Sequence, residues 1–297
     1  RPLAARRGLY CTHMRDEGTG LLDSVREALA IGTGAGVPVQ ISHHKASGRT
    51  AWGLVRESLK LIEAAQRRGQ QVQADQYPYT AGSTILSAVY RDGKLRGVIG
   101  DLKAEDVVIA STASHPAWEG RSLAQLGTEM RCTPEQAAER VLAADSGVTV
   151  ILHAMSEEDV RTVMRHPSTM IGSDGIPSLP GKPHPRLWGT FARVLGLHVR
   201  ERGLLSLPDA IKKMTLMPAL RLEARVPIMV KKGRLQVGAD ADITLFDPVH
   251  VKDLATYEKP AVYAEGVRYV LVGGVLIVRD GKPVAGVTPG QAVRAAH

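Results

Sequence analysis

The feature that most narrows the fold is a rhythm. Three short apolar runs, at 8–13, 37–43 and 71–77, recur about every thirty residues, and each ends on polar side chains. Between the first two, residues 19–34 carry Leu22, Val25, Leu29 and Ala30 at helical spacing, with Gly34 and Gly36 placed to end the helix. Between the second and third, residues 52–68 set Val55, Leu59 and Ile62 on one stripe and stop at Gly69. Strand, helix and strand at that period make the βα unit of a parallel sheet. The pattern returns with a run at 148–153, a helix over 156–165 and a run at 169–174.

The remaining chain divides around this rhythm. Residues 1–85 hold the first strands and the start of the next segment. Residues 86–147 interrupt the period and read as an insertion or small subdomain, with a helix opening at Pro134. Residues 148–225 resume it and add helices at 188–202 and 207–220, after a stretch at 175–186 too rich in Pro and Gly to be regular. Residues 226–297 change character to short alternating strands, with a hairpin at Gly273-Gly274, and form a separate β element with a C-terminal tail.

Composition excludes several function classes. The net charge of +8 could draw anions, but the basic residues are scattered in pairs such as Arg67-Arg68 and Lys212-Lys213. No zinc-finger or aromatic RNA-binding signature accompanies them, so no nucleic-acid partner is expected. No apolar run reaches the roughly 18 residues needed to span a bilayer, so no membrane partner is expected either. Cys11 and Cys132 cannot build a disulfide framework, which points to the cytoplasm. Oligomeric state is not legible.

In a parallel α/β barrel the chemistry sits at the carboxyl ends of strands. The polar residues there are His13, His43 with His44 and Lys45, Tyr77, His153 and Asp174. Two imidazoles and a carboxylate converging on one mouth suit a divalent metal such as zinc. Taken singly, each has a plainer reading. A strand-end His is often a hydrogen-bonded loop residue, Ser173-Asp174-Gly175 could be an Asx turn, and His153 could cap its strand. His166 and His198 sit on helices, where a structural role is expected.

Six segments, in order along the chain, bear on this choice. They are Tyr10-Cys-Thr-His-Met-Arg-Asp-Glu17, Ile41-Ser-His-His-Lys45, Tyr77-Pro-Tyr-Thr-Ala-Gly-Ser-Thr84 and Ile171-Gly-Ser-Asp-Gly175. The last two are His184-Pro-Arg186 with Gly189-Thr-Phe191, and Gly238-Ala-Asp-Ala-Asp-Ile-Thr-Leu-Phe-Asp-Pro248. Together they resemble the D-aminoacylases, the N-acyl-D-amino-acid deacylases of the amidohydrolase superfamily. The resemblance implies an α/β fold, the C-terminal part of a distorted TIM-like (β/α)8 barrel with a small β-sandwich. It implies that His13, His43 and Asp174 meet a zinc ion, one tightly bound and a second left open, with Asp174 as general base and then acid. It implies that Lys45, Tyr77, Ser83 and Arg186 hold the α-carboxylate of a small N-acyl amino acid, and that the 86–147 insertion partly covers the mouth. His44 is not assigned as a ligand.

The implied reaction is metal-dependent hydrolysis of the amide bond of N-acyl-D-amino acids to a carboxylate and a D-amino acid. Relatives also carry an upstream His-x-His and a cysteine ligand. No His-x-His occurs here, and Cys11 does not stand in the cysteine's place. Arg1 is therefore expected to begin midway through the barrel, leaving about four strands with an open edge and an isolated chain that is inactive. Two alternatives stay open: an amidohydrolase acting on cyclic amides, as hydantoinases and dihydroorotases do, or a catalytically incomplete fragment.

Overall fold

A computed structural model describes residues 2–95, 102–176 and 180–295. Its central layer is a four-stranded parallel sheet built from β1 (Tyr10–Thr12), β2 (Val39–Ile41), β3 (Val72–Gln76) and, much later in the chain, β7 (Thr169–Ile171). Tyr10 pairs with Val39, Val39 with Val72, and Ala74 with Thr169, so the strands lie in the order β1-β2-β3-β7. Helix α1 (Leu21–Ala35) connects β1 to β2, and α2 (Val55–Arg67) connects β2 to β3. The α/β class expected from the rhythm is thus what forms.

The helices form for the reason their spacing gives. Leu21, Val25, Ala28, Leu29 and Gly32 make one buried face of α1; Val55, Leu59, Ile62 and Ala65 make that of α2. Both pack with Val39, Ile41, Val72 and Ala74 of the sheet in one apolar core. Removing each such side chain from water contributes about 1.5–3 kcal/mol. Gly34 lies inside α1, and Gly36 alone ends it, in the left-handed conformation at φ 65°.

One strand departs from expectation. The run at 148–153 forms β6 (Thr149–Leu152) but does not enter the parallel sheet. It pairs antiparallel on one side with β4 (Gly82–Ile85) and on the other with β5 (Val107–Ser111). This three-stranded sheet packs on helices α3 (Leu123–Glu129) and α4 (Pro134–Ala144) through Val107, Ile109, Leu123, Leu126, Val141 and Val150, a core of its own. An apolar run followed by a helix carries no information on strand direction, so periodicity could not separate the two cases.

After α5 (Glu157–Arg165) and β7, the chain enters α6 (Arg186–Arg193), which continues as a π-helix over Val194–Glu201. Helices α7 (Leu207–Met214) and α8 (Leu216–Glu223) follow, and Ser206 caps the first by accepting from the Asp209 N–H. The last layer is a separate antiparallel sheet of β8 (Ile243–Phe246), β9 (Val267–Val272), β10 (Val275–Arg279) and β11 (Lys282–Pro283). The hairpin expected at Gly273-Gly274 joins β9 to β10, with both glycines at positive φ. No described residue of these four strands is fully buried.

Candidate active site

The carboxyl ends of β1, β2, β3 and β7 open onto one cavity of about 200 Å³. His13 follows β1, His43 and Lys45 follow β2, Tyr77 follows β3 and Asp174 follows β7. All five line the cavity, with Arg186 from the start of α6 and Ser83 from β4. The antiparallel sheet closes the opposite side with Gly82, Thr84 and Leu152. Every residue that the resemblance assigns to the site therefore faces the same space. His153 does not line it; its ring lies edge-on to Tyr257 at 4.9 Å.

The two histidines meet through defined atoms. His13 Nδ1 lies 2.9 Å from His43 Nε2, and the ring centroids are 4.7 Å apart. Two nitrogen ligands in a zinc tetrahedron are separated by about 3.3 Å when each sits ~2.0–2.1 Å from the ion. The imidazole pair is therefore already close to a metal-ligand edge, and its nitrogen donors suit zinc. Asp174 differs from expectation: it lines the cavity, but its carboxylate accepts from Arg186 Nη1 at 2.9 Å and lies outside the imidazole cluster. Partial desolvation at the cavity mouth holds the His13 imidazole below its ordinary pKa, against the opposing pull of Glu17.

The backbone around His43 is constrained. His43 adopts φ 40°, an uncommon conformation for a residue with a side chain, and Asp174 adopts φ 50°. The His43 N–H donates to Asp75 Oδ1 at 2.8 Å, and Asp75 Oδ2 accepts from Gln40 Nε2 at 2.6 Å. The next residue, His44, turns away into the core, where its Nε2 lies 2.8 Å from Ser58 Oγ.

Glu17 is the residue that sequence reasoning missed. It is 1 % exposed, and its Oε1 lies 2.9 Å from His43 Nδ1 and 2.7 Å from Lys45 Nζ. Burial alone would raise its pKa; the Lys45 ammonium and the bond to His43 outweigh that and bring it down to about 2. Glu17 therefore stays ionised. The opposite effect acts on Lys45, whose burial is outweighed by Glu17 so that its pKa rises. Lys45 Nζ also donates to the His43 carbonyl at 3.0 Å. The available signal was position: Glu17 lies four residues beyond His13 within the first quoted motif.

On the far wall, Tyr77 is buried, with its ring 4.6 Å from the Arg186 guanidinium carbon and 5.8 Å from Lys45 Nζ. Arg186 is itself buried. Its backbone N–H donates to His184 Nδ1 at 3.1 Å, while His184 Nε2 lies 2.9 Å from the Ala81 carbonyl. A carboxylate entering between Tyr77, Ser83 and Arg186 would meet a cation and two hydroxyls.

Comparison with known proteins gives this geometry a family. A family model described as the amidohydrolase family matches residues 17–278. The chain belongs to the amidohydrolase family. It is 40 % identical over 280 residues to the D-aminoacylase of Alcaligenes xylosoxydans xylosoxydans and 38 % identical over 283 residues to an N-acyl-D-glutamate deacylase from the same organism. Those alignments cover 94 % and 95 % of this chain and 54 % of each relative. The chain thus spans about half the length of the curated relatives it matches. Among solved structures, N-acyl-D-glutamate deacylase from Bordetella bronchiseptica, complexed with zinc and a phosphonate mimic of the tetrahedral intermediate, superposes with a TM-score of 0.82. It is 37 % identical, over 94 % of this chain and 56 % of that one.

Proposed function

We propose that this chain carries catalytic machinery of a metal-dependent deacylase that hydrolyses the amide bond of N-acyl-D-amino acids, giving a carboxylate and a D-amino acid. The observation that carries this reading is the single cavity shared by His13, His43, Lys45, Tyr77, Ser83, Asp174 and Arg186. The related deacylases act on N-acyl-D-amino acids, and one binds zinc, which agrees with the imidazole donors here. On this reading the parallel sheet is an arc of a TIM-like barrel, the described strands after residue 226 belong to a β-sandwich, and the described part of the 86–147 insertion, through Ala88, partly covers the mouth. The two free cysteines suit a cytoplasmic setting, and no described helix is long and apolar enough to cross a membrane.

His13 Nδ1 and His43 Nε2 would hold the zinc, leaving room for further ligands. Zinc, when bound, supplies Lewis-acid polarisation of the acyl carbonyl and a more acidic water. Asp174 takes the proton of the attacking water and returns it to the departing amine nitrogen. Arg186, with the hydroxyls of Tyr77 and Ser83, fixes the substrate α-carboxylate. Lys45 adds positive charge behind them. An incoming carboxylate competes with Asp174 for the Arg186 guanidinium and so releases Asp174 to face the reacting bond. Holding carboxylate and carbonyl at two points leaves one side of the α-carbon for the side chain, which distinguishes D from L.

The test is hydrolysis of paired N-acetyl-D- and N-acetyl-L-amino acids by the protein expressed from its full reading frame, with and without zinc. Zinc-dependent release of D-amino acids supports the reading. Equal cleavage of both enantiomers, or none of either, overturns it.

A further inference from the structure

The Glu17–His43–Lys45 contact allows two arrangements of protons, with opposite consequences for the metal side of the ring. His43 Nδ1 has two partners at hydrogen-bonding distance, Glu17 Oε1 at 2.9 Å and Lys45 Nζ at 2.8 Å, and those two atoms are 2.7 Å apart. A carboxylate only accepts and an ammonium only donates. If Nδ1 carries the proton it donates to Glu17. If Nδ1 is bare it accepts from Lys45, and the proton sits on Nε2. The choice reaches the other end of the ring, where Nε2 faces His13 Nδ1 at 2.9 Å. An imidazole nitrogen that bears a proton cannot ligate a metal.

We propose that Glu17 is a positioning residue that holds the His43 proton on Nδ1, so that the Nε2 lone pair is kept free for a metal ion shared with His13. This rests on the metal-site reading above and extends it to a residue outside the ligand pair. Two observations favour Glu17 over Lys45 as the partner of Nδ1. Glu17 is almost fully buried, so its carboxylate depends on protein donors. Apart from His43 Nδ1, Lys45 is the only side-chain donor to that carboxylate among the described residues. Metal-binding histidines generally donate their second ring N–H to a carboxylate or carbonyl, and loss of that partner costs 10–100-fold in metal affinity.

This geometry argues against Glu17 as a third ligand, although its carboxylate lies in the same cluster as the imidazoles. Its oxygen approaches the Nδ1 side of His43, whereas the gap between the two imidazoles is on the Nε2 side.

The test uses Glu17→Gln, with Glu17→Ala/Lys45→Met as a second variant that removes both buried charges together and so guards against unfolding. Two readouts are needed: the ring ¹⁵N pattern of His43 in metal-free protein, and zinc affinity by competition with a chromophoric chelator. We expect an Nδ1–H pattern in the unaltered chain and a shift toward Nε2–H in both variants. Zinc affinity should fall 10–100-fold. An unchanged tautomer in both variants overturns the proposal, whatever happens to zinc; weakened zinc with an unchanged tautomer would make Glu17 a ligand. The ¹⁵N readout is taken without metal or substrate, so it stands even if the deacylase reading fails.

Discussion

Asp174 and Arg186 hold each other at 2.9 Å, and that contact sharpens what each substitution should do. Asp174→Asn keeps the shape but cannot accept a proton at neutral pH. It should cut kcat by about 10²–10⁴-fold while leaving zinc affinity within a few-fold, because Asp174 stands apart from the imidazole cluster. Retained turnover in a steady-state assay would remove Asp174 from proton transfer. Lys45→Ala has a different cost. It removes the cation from the buried Glu17 carboxylate, and breaking such a pair destabilises by about 3–5 kcal/mol. Urea unfolding should show this loss even where no substrate is present, and an unchanged midpoint would mean that the pair contributes nothing. His13, His43 and Arg186 were legible in the sequence because each sits in a motif at a strand end or helix start. Glu17 was not, since Met-Arg-Asp-Glu reads as an ordinary charged loop until the fold buries its last residue under Lys45.

At the scale of elements, the βα rhythm named α1, α2, α5 and all four parallel strands with ends displaced by only a few residues. It failed where direction mattered. Nothing in Val148-Thr-Val-Ile-Leu-His153 says whether its partners run parallel or antiparallel; that depends on β4 and β5 reaching it from elsewhere in the chain. The two glycines of α1 give a paired prediction. A methyl group at Gly32 would run into Val39 Cγ2, in the packed contact between α1 and β2, whereas one at Gly34 would meet open space. Gly32→Ala should therefore destabilise by ~1–3 kcal/mol despite the better helix propensity of Ala. Gly34→Ala should stabilise by up to ~1 kcal/mol. Denaturant midpoints of the two variants check this, and equal shifts would refute the close packing of α1 on β2.

Across the molecule, buried neutral histidines couple stability to pH. Burial, with the Arg186 cation beside it, pushes His184 down to about 3; burial and the Arg193 guanidinium push His198 down to about 4. The unfolded chain takes up these protons near pH 6.5, whereas the folded chain does so only well below it. Their contribution is therefore complete above about pH 6.5 and is lost as the pH falls toward 4. For His198 this is on the order of 3 kcal/mol. The denaturant midpoint should drop between pH 7 and 4.5, and His198→Gln should flatten that drop; identical profiles would contradict it. The larger claim is that a four-stranded parallel sheet brings two imidazoles from separate strands to one ion. Anomalous diffraction at the zinc edge, from crystals grown with zinc, tests it most directly. A peak ~2.0–2.1 Å from both His13 Nδ1 and His43 Nε2 is expected; a zinc peak that touches neither nitrogen would refute the shared site.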